Sequence, residues 1–89
     1  MPVISMFYGI IIRMFFYDNI EHKLLPIHLE YAAYNAVVSI PDANLLAGRF
    51  PKDKLKLEVA WVEIHKEDLL ADWKLAVEGN SVFKIEGLK

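Results

Sequence analysis

The sequence predicts an α+β fold: a small antiparallel sheet of three to five strands followed by two helices packing on it, in a single domain spanning residues 1–89. Three observations lead there. Residues 3–17 are crowded with β-branched and aromatic side chains, which favour a pleated surface. Residues 27–31 alternate apolar and polar, the pattern of a half-buried strand. From Pro51 the apolar spacing becomes helical. Residues 1–50 thus read as strand-rich, 51–79 as helical, and 80–89 as a short strand or tail.

Within 3–17, Gly9 offers a turn between two strands. In the second of these, Ile10, Ile12, Met14 and Phe16 share one face while Ile11, Arg13, Phe15 and Tyr17 share the other. Both faces are largely apolar, so this strand is expected to be central or to meet another layer. Residues 18–23 read as a loop, and because Pro26 lacks an N–H the next strand is expected to begin after it. There His28 and Glu30 share one face, and Ile27, Leu29 and Tyr31 the other. Ala32-Ala33 would make an unusual tight turn, since neither residue tolerates positive φ as glycine does, so a longer hairpin loop is expected. Residues 34–40 resume an extended composition, Pro41-Asp42-Ala43-Asn44 reads as a turn, and Leu45-Leu46 with Gly48 adds a short edge strand.

Pro51 suits a first helical position, and Asp53 in the first turn complements the positive helix end. Leu55, Val59 and Val62 form one stripe, with Leu57, Trp61 and Ile64 nearly opposite. One stripe covers the sheet; the other needs a second helix or another chain. Leu69, Leu70, Trp73, Ala76 and Val77 form a broad stripe further on, with Glu67, Asp68, Asp72 and Lys74 mostly away from it, and Gly79-Asn80 ends the run. One long helix competes with two joined by a kink near His65; the need to bury both stripes favours two. Val82-Phe83-Lys84-Ile85 suits a returning strand or an extended tail.

Apolar residues make up 55% of the chain, which excludes compositional disorder and exceeds what one compact layer readily hides. Ten Lys or Arg against twelve Asp or Glu leave a formal charge of −2, so no global positive field recruits nucleic acid or an anionic membrane, and nucleic-acid binding is not expected. Without cysteine there is neither disulfide nor thiolate chemistry, which fits a cytoplasmic location. Arg13 interrupts the apolar opening, and no apolar run approaches the roughly 20 residues of a membrane span, so neither a signal peptide nor a span is expected. The four glycines stand apart and form no phosphate-binding loop, and no cofactor is expected.

Several side chains carry candidate chemistry. His22, His28 and Glu30 have the vocabulary of a metal site, although two residues on one strand and one in a loop make an incomplete ligand set. His28 suits acid–base work, with His22, Glu30 and Arg13 as its neighbours, yet no nucleophile or oxyanion nest surrounds it. The bland alternative is a partly exposed strand histidine beside a solubilising glutamate. His65 reads as a helix C-cap. Arg49, Lys52, Lys54 and Lys56 are offset only by Asp53 and form a candidate anion-binding knob, or simply a solvated helix start, ahead of an acidic run from Glu58 to Glu78. Leu57, Trp61 and Ile64 on the helix, with Ile11 and Phe15 on the sheet, are the candidate interface with a protein partner or a second copy.

The opening Met1-Pro2-Val3-Ile4-Ser5-Met6-Phe7-Tyr8-Gly9-Ile10, the stretch from His22 to Tyr31, the Gly48-Arg49-Phe50-Pro51 junction and the segment from Trp61 to Trp73 closely resemble DUF4160, a family of small, mainly bacterial proteins forming a domain of unknown function. The resemblance covers nearly the whole chain. That family's opening reads Met-Pro-x-Ile-Ser-x-Phe-x-Gly-Ile, and its middle reads His-Asn-Pro-Pro-His-x-His before a strand. His22 falls on the first histidine and His28 on the last, while Lys23, Leu24, Leu25 and Pro26 fall on Asn, Pro, Pro and His, so the middle histidine is replaced. A His-x-His pair would place two imidazoles on one strand face; with Pro26 there, any family activity resting on the pair is in doubt. Ala32-Ala33 and Asp42-Ala43-Asn44 also stand where similar proteins commonly carry glycine turns. The resemblance further implies a protein partner, as one component of a toxin–antitoxin-like two-gene pair. The residues themselves point to a small interaction module or, alternatively, to a metal-binding or acid–base protein centred on His28.

Overall fold

The computed structural model describes residues 3–14, 25–40 and 45–88. Five strands, β1 (Val3–Phe7), β2 (Ile10–Met14), β3 (Leu25–Tyr31), β4 (Tyr34–Ile40) and β5 (Leu45–Arg49), precede two helices, α1 (Lys52–Ile64) and α2 (Lys66–Val77). The strands form one antiparallel sheet in the order β1-β2-β3-β4-β5, a meander in which each strand pairs with the next in sequence. This is the expected α+β architecture at the upper end of its strand count.

Each hairpin has a local cause. Tyr8 and Gly9 both take positive φ, 49° and 79°, between the paired Phe7 and Ile10. That is the two-residue turn whose twist matches its flanking strands. The β3–β4 hairpin departs from expectation: Tyr31 pairs with Tyr34, so Ala32-Ala33 is a two-residue turn and not a longer loop. Ala32 adopts φ 51°, a left-handed conformation held by the seven paired residues on each side despite the cost to a Cβ-bearing residue. β3 also begins at Leu25 and includes Pro26, opposite Ser39, near the strand's start, where a missing donor is tolerated. The loop expected over 18–23 and the turn over 41–44 lie outside the described residues.

Strand alternation sorts the sheet into two faces. Ile10, Ile12, Met14, Ile27, Leu29, Ala36 and Val38 are buried on one face, where Trp61, Val62 and Leu69 from the helices complete the core. Phe7 and Trp61 pack with ring centroids 5.6 Å apart. On the opposite face the cross-strand rows are Arg13, His28, Val37 and Ala47, and then Ile11, Glu30, Asn35 and Arg49.

The helical half is two helices. His65 interrupts them with φ −109° and ψ 24°, yet His65 N–H still donates to Trp61 O and Leu69 N–H to His65 O, so the break is a kink. Pro51 is the N-cap, one residue earlier than the first helical position expected for it. The α2 end is closed by paired bonds, Gly79 N–H to Ala76 O and Asn80 N–H to Leu75 O.

Residues 80–88 form an extended tail, not a returning strand. It runs parallel to β1: Ile85 N–H donates to Ile4 O at 2.7 Å, and Gly87 lies so close to Met6 O that a Cβ would approach it to 2.8 Å. The tail thereby covers the outer edge of β1.

Candidate functional site

Three of the four acid–base candidates converge on the sheet face opposite the helices. Arg13 on β2 stands directly across from His28 on β3. Glu30, two residues further along β3, projects to the same side, and Arg13 Nε donates to Glu30 Oε2 at 3.0 Å. Strand periodicity creates this cluster, because His28 and Glu30 share a face and antiparallel register delivers Arg13 beside them. Both ion-pair partners are half-buried. His28 is also half-buried, and both Arg13 and His28 have further partners. His22, the remaining candidate, lies outside the described residues. Among the described residues no group of three or more His, Cys, Asp or Glu side chains is gathered to hold a metal ion.

The interface candidates separate. Trp61 is fully buried, and its indole Nε1 donates to Glu86 O at 2.9 Å, so it belongs to the chain's own core and cannot serve as a docking residue. Leu57 and Ile11 are partly buried, Ile64 is 64% exposed, and Phe15 lies outside the described residues. Inward orientation follows from the α1 wheel. The two apolar stripes are flanks of one buried strip, and Glu58 sits between them, about 60° from Trp61 and about 40° from Val62. Burying Trp61 and Val62 together therefore buries Glu58, while Val59 and Ile64 turn outward. On α2, Leu70 and Val77 are likewise exposed, whereas Asp72, expected away from the apolar stripe, is buried beside Leu69.

Glu58 and Asp72 were not among the candidate site residues. Glu58 is 0% exposed, and among the described residues neither carboxyl oxygen has a hydrogen-bond partner. Burial pushes its pKa from 4.5 up to about 7, since a charge removed from water favours the neutral acid. Asp72 is also raised, chiefly by desolvation; the Phe83 N–H bond to its Oδ1, 3.0 Å long, acts in the opposite sense, and Asp68 adds repulsion. The available signal was positional: Glu58 stands three and four residues before Trp61 and Val62, and Asp72 three residues after Leu69 and four before Ala76.

The basic candidates also divide. Lys54 Nζ sits 5.0 Å from the centroid of the Tyr31 ring, a cation–π contact. Arg49, Lys52 and Lys56 are exposed, Arg49 at the end of β5 and the two lysines on the outward side of α1. His65, the expected C-cap, is also the N-cap position of α2, and its Nδ1 lies 3.2 Å from Asp68 Oδ2. No helix among the described residues is long and apolar enough to cross a membrane.

The chain belongs to the DUF4160 family, a domain of unknown function, whose pattern matches residues 9–74. The match runs from the β1–β2 turn into α2 and so includes the Arg13–His28–Glu30 face, Glu58 and β5. Neither the curated proteins nor the solved structures provide a match.

Proposed function

We propose that this protein is a small protein-interaction module, one component of a toxin–antitoxin-like pair with the product of an adjacent gene. The supporting observation is the large apolar side chain left outside after the fold has closed its core: Ile64 at 64%, Met6 at 66% and Phe83 at 72% exposure, from helix, sheet and tail respectively. Single exposed apolar residues are ordinary on a protein surface, but here an interface candidate is among them, and half-exposed Leu45 and Leu46 add further apolar surface on β5, the sheet edge opposite β1. The chain acts in the cytoplasm and works by association, without a catalytic step. Light scattering of the chain alone and mixed with the adjacent gene product tests this reading. A stoichiometric complex is expected, and a chain that stays monomeric in both samples refutes it.

A second reading has its own support. Arg13, His28 and Glu30 share one sheet face, with the Arg13–Glu30 ion pair formed, and this grouping suits a metal-binding or acid–base centre on His28. In that reading Pro26 occupies, two residues before His28 on the same strand, the place of the family's middle histidine, and this copy is degenerate. Titration with a divalent ion, followed through the imidazole resonances, separates the two readings. Unmoved His22 and His28 signals at excess metal remove the metal version.

A further inference from the structure

We infer that the outer edge of β5 is a strand-docking site for an extended, acidic segment of a partner protein. This inference rests on the interaction-module reading and deepens it by naming the surface and the partner's chemistry.

The two edges of the sheet are treated differently. β1 is covered by the chain's own tail through the Ile85–Ile4 bond and the close approach of Gly87 to Met6. β5 is the last strand at the other end, and no strand among the described residues lies beyond it. All five of its residues are exposed, so the helices do not reach over it. An uncovered edge presents unpaired backbone donors and acceptors, and proteins normally blunt such edges with proline, charge, a bulge, a short strand or a covering segment. β5 has no proline, and its single charge is the terminal Arg49. It carries a bulge, the register shift against Val37 and Val38 that leaves Leu46 outside the ladder beside Leu45, and a left-handed residue, Gly48 at φ 87°, yet all five residues stay exposed. Main-chain pairing with an added strand would satisfy the edge, and the two leucines would supply apolar contact.

Charge decides the occupant. Arg49 ends the strand, and the exposed Lys52 and Lys56 follow one helical turn apart, opposed locally by Asp53 alone. Lys52 lies within about 11 Å of Arg49, the reach of three peptide units. A second copy pairing through β5 would bring two such basic ends to a seam only about 17 Å long, whereas an acidic strand would be attracted to it.

The test uses the full chain and two short acetylated peptides, one alternating Val and Glu and the other Val and Lys, with amide exchange and backbone resonances as readouts. The acidic peptide is expected to slow exchange at residues 45–49, to shift the signals of Lys52 and Lys56, and to bind at least about tenfold more tightly than the basic one, a difference of about 1.4 kcal/mol. Leu46→Pro, which removes a β5 N–H and rigidifies the strand, should abolish the slowed exchange; Leu46→Asp serves the same purpose by repulsion if the proline variant does not fold. Combining Arg49→Glu, Lys52→Glu and Lys56→Glu should reverse the peptide preference. Equal binding of both peptides, binding of neither, or self-association through 45–49 would overturn the inference. A complex with the adjacent gene product that leaves 45–49 unprotected would overturn it while sparing the interaction reading; no association with any of these would remove both.

Discussion

The indole Nε1 of Trp61 donates to the carbonyl oxygen of Glu86 across 2.9 Å, tying the C-terminal tail to the last turn of α1. Together with Ile85 on Ile4 and Phe83 on Asp72, this bond makes residues 80–88 a strap touching both helices and β1. Trp61→Phe would remove the donor and leave the space of the lost ring partly unfilled. A loss of about 2–4 kcal/mol is expected in urea unfolding, with faster amide exchange over 84–88. Tail amides that keep their protection would mean that the strap is held by other contacts.

Glu58 makes stability depend on pH. Its folded pKa of about 7 exceeds the ordinary 4.5, so the native protein retains a proton that the unfolded chain releases. The stability this contributes is fully present below 4.5 and is lost as pH rises through 7. The fall is on the order of 3 kcal/mol. Glu58→Met should flatten that segment of the stability–pH curve and raise stability at pH above 7, because it replaces an unpartnered buried acid with an apolar group of similar volume. Parallel urea titrations on both sides of the window measure it, and a wild-type curve that stays flat would show that the carboxyl finds solvent.

The Arg13–Glu30 pair should contribute little to stability. Both side chains are half-buried on the sheet face opposite the helices, and surface pairs couple by about 1 kcal/mol or less. A double-mutant cycle with Arg13→Met and Glu30→Gln should return a coupling in that range. A larger value would mean that the face is desolvated by neighbouring chain.

The β3–β4 turn stores backbone strain at Ala32, whose φ is 51°. Ala32→Gly should therefore stabilise the protein by up to about 1 kcal/mol, the relief of a Cβ in the left-handed region less the added freedom of glycine in the unfolded chain. Thermal unfolding should show a higher midpoint.

Gly48→Ala should act in the opposite direction. Gly48 has φ 87°, and a Cβ there would come within 2.2 Å of Asn35 O on β4, a backbone atom that moves only with its strand. A loss of about 2 kcal/mol or more is expected, accompanied by faster amide exchange across β5. Unchanged exchange at 45–49 would show that the β4–β5 ladder adapts without cost.

Local patterns made most of the architecture legible. Gly9 between two β-branched runs, the alternation from Ile27 to Tyr31, the Leu45–Gly48 segment and the Pro51 start each anticipated an element now seen at that place. The co-facing of His28 and Glu30 followed from strand period alone. Their meeting with Arg13 did not, because it depends on which β2 residue the register sets opposite His28. Local preference opposes a tight turn at Ala32-Ala33 and favours a longer loop. Seven pairs of residues between β3 and β4 outweigh the strain at one alanine.

The amino-acid order by itself determined the kinds of element and their succession, since side-chain period, proline placement and turn chemistry act over a few neighbours. Tertiary structure alone decided what each surface faces. A helix with two apolar flanks can turn either flank, or the wedge between them, toward the sheet. Here it buries the wedge, so Trp61 and Glu58 enter the core while Ile64 stays in water. Likewise only the assembled sheet has edges, and only its closure by residues 80–88 on one side leaves β5 exposed on the other.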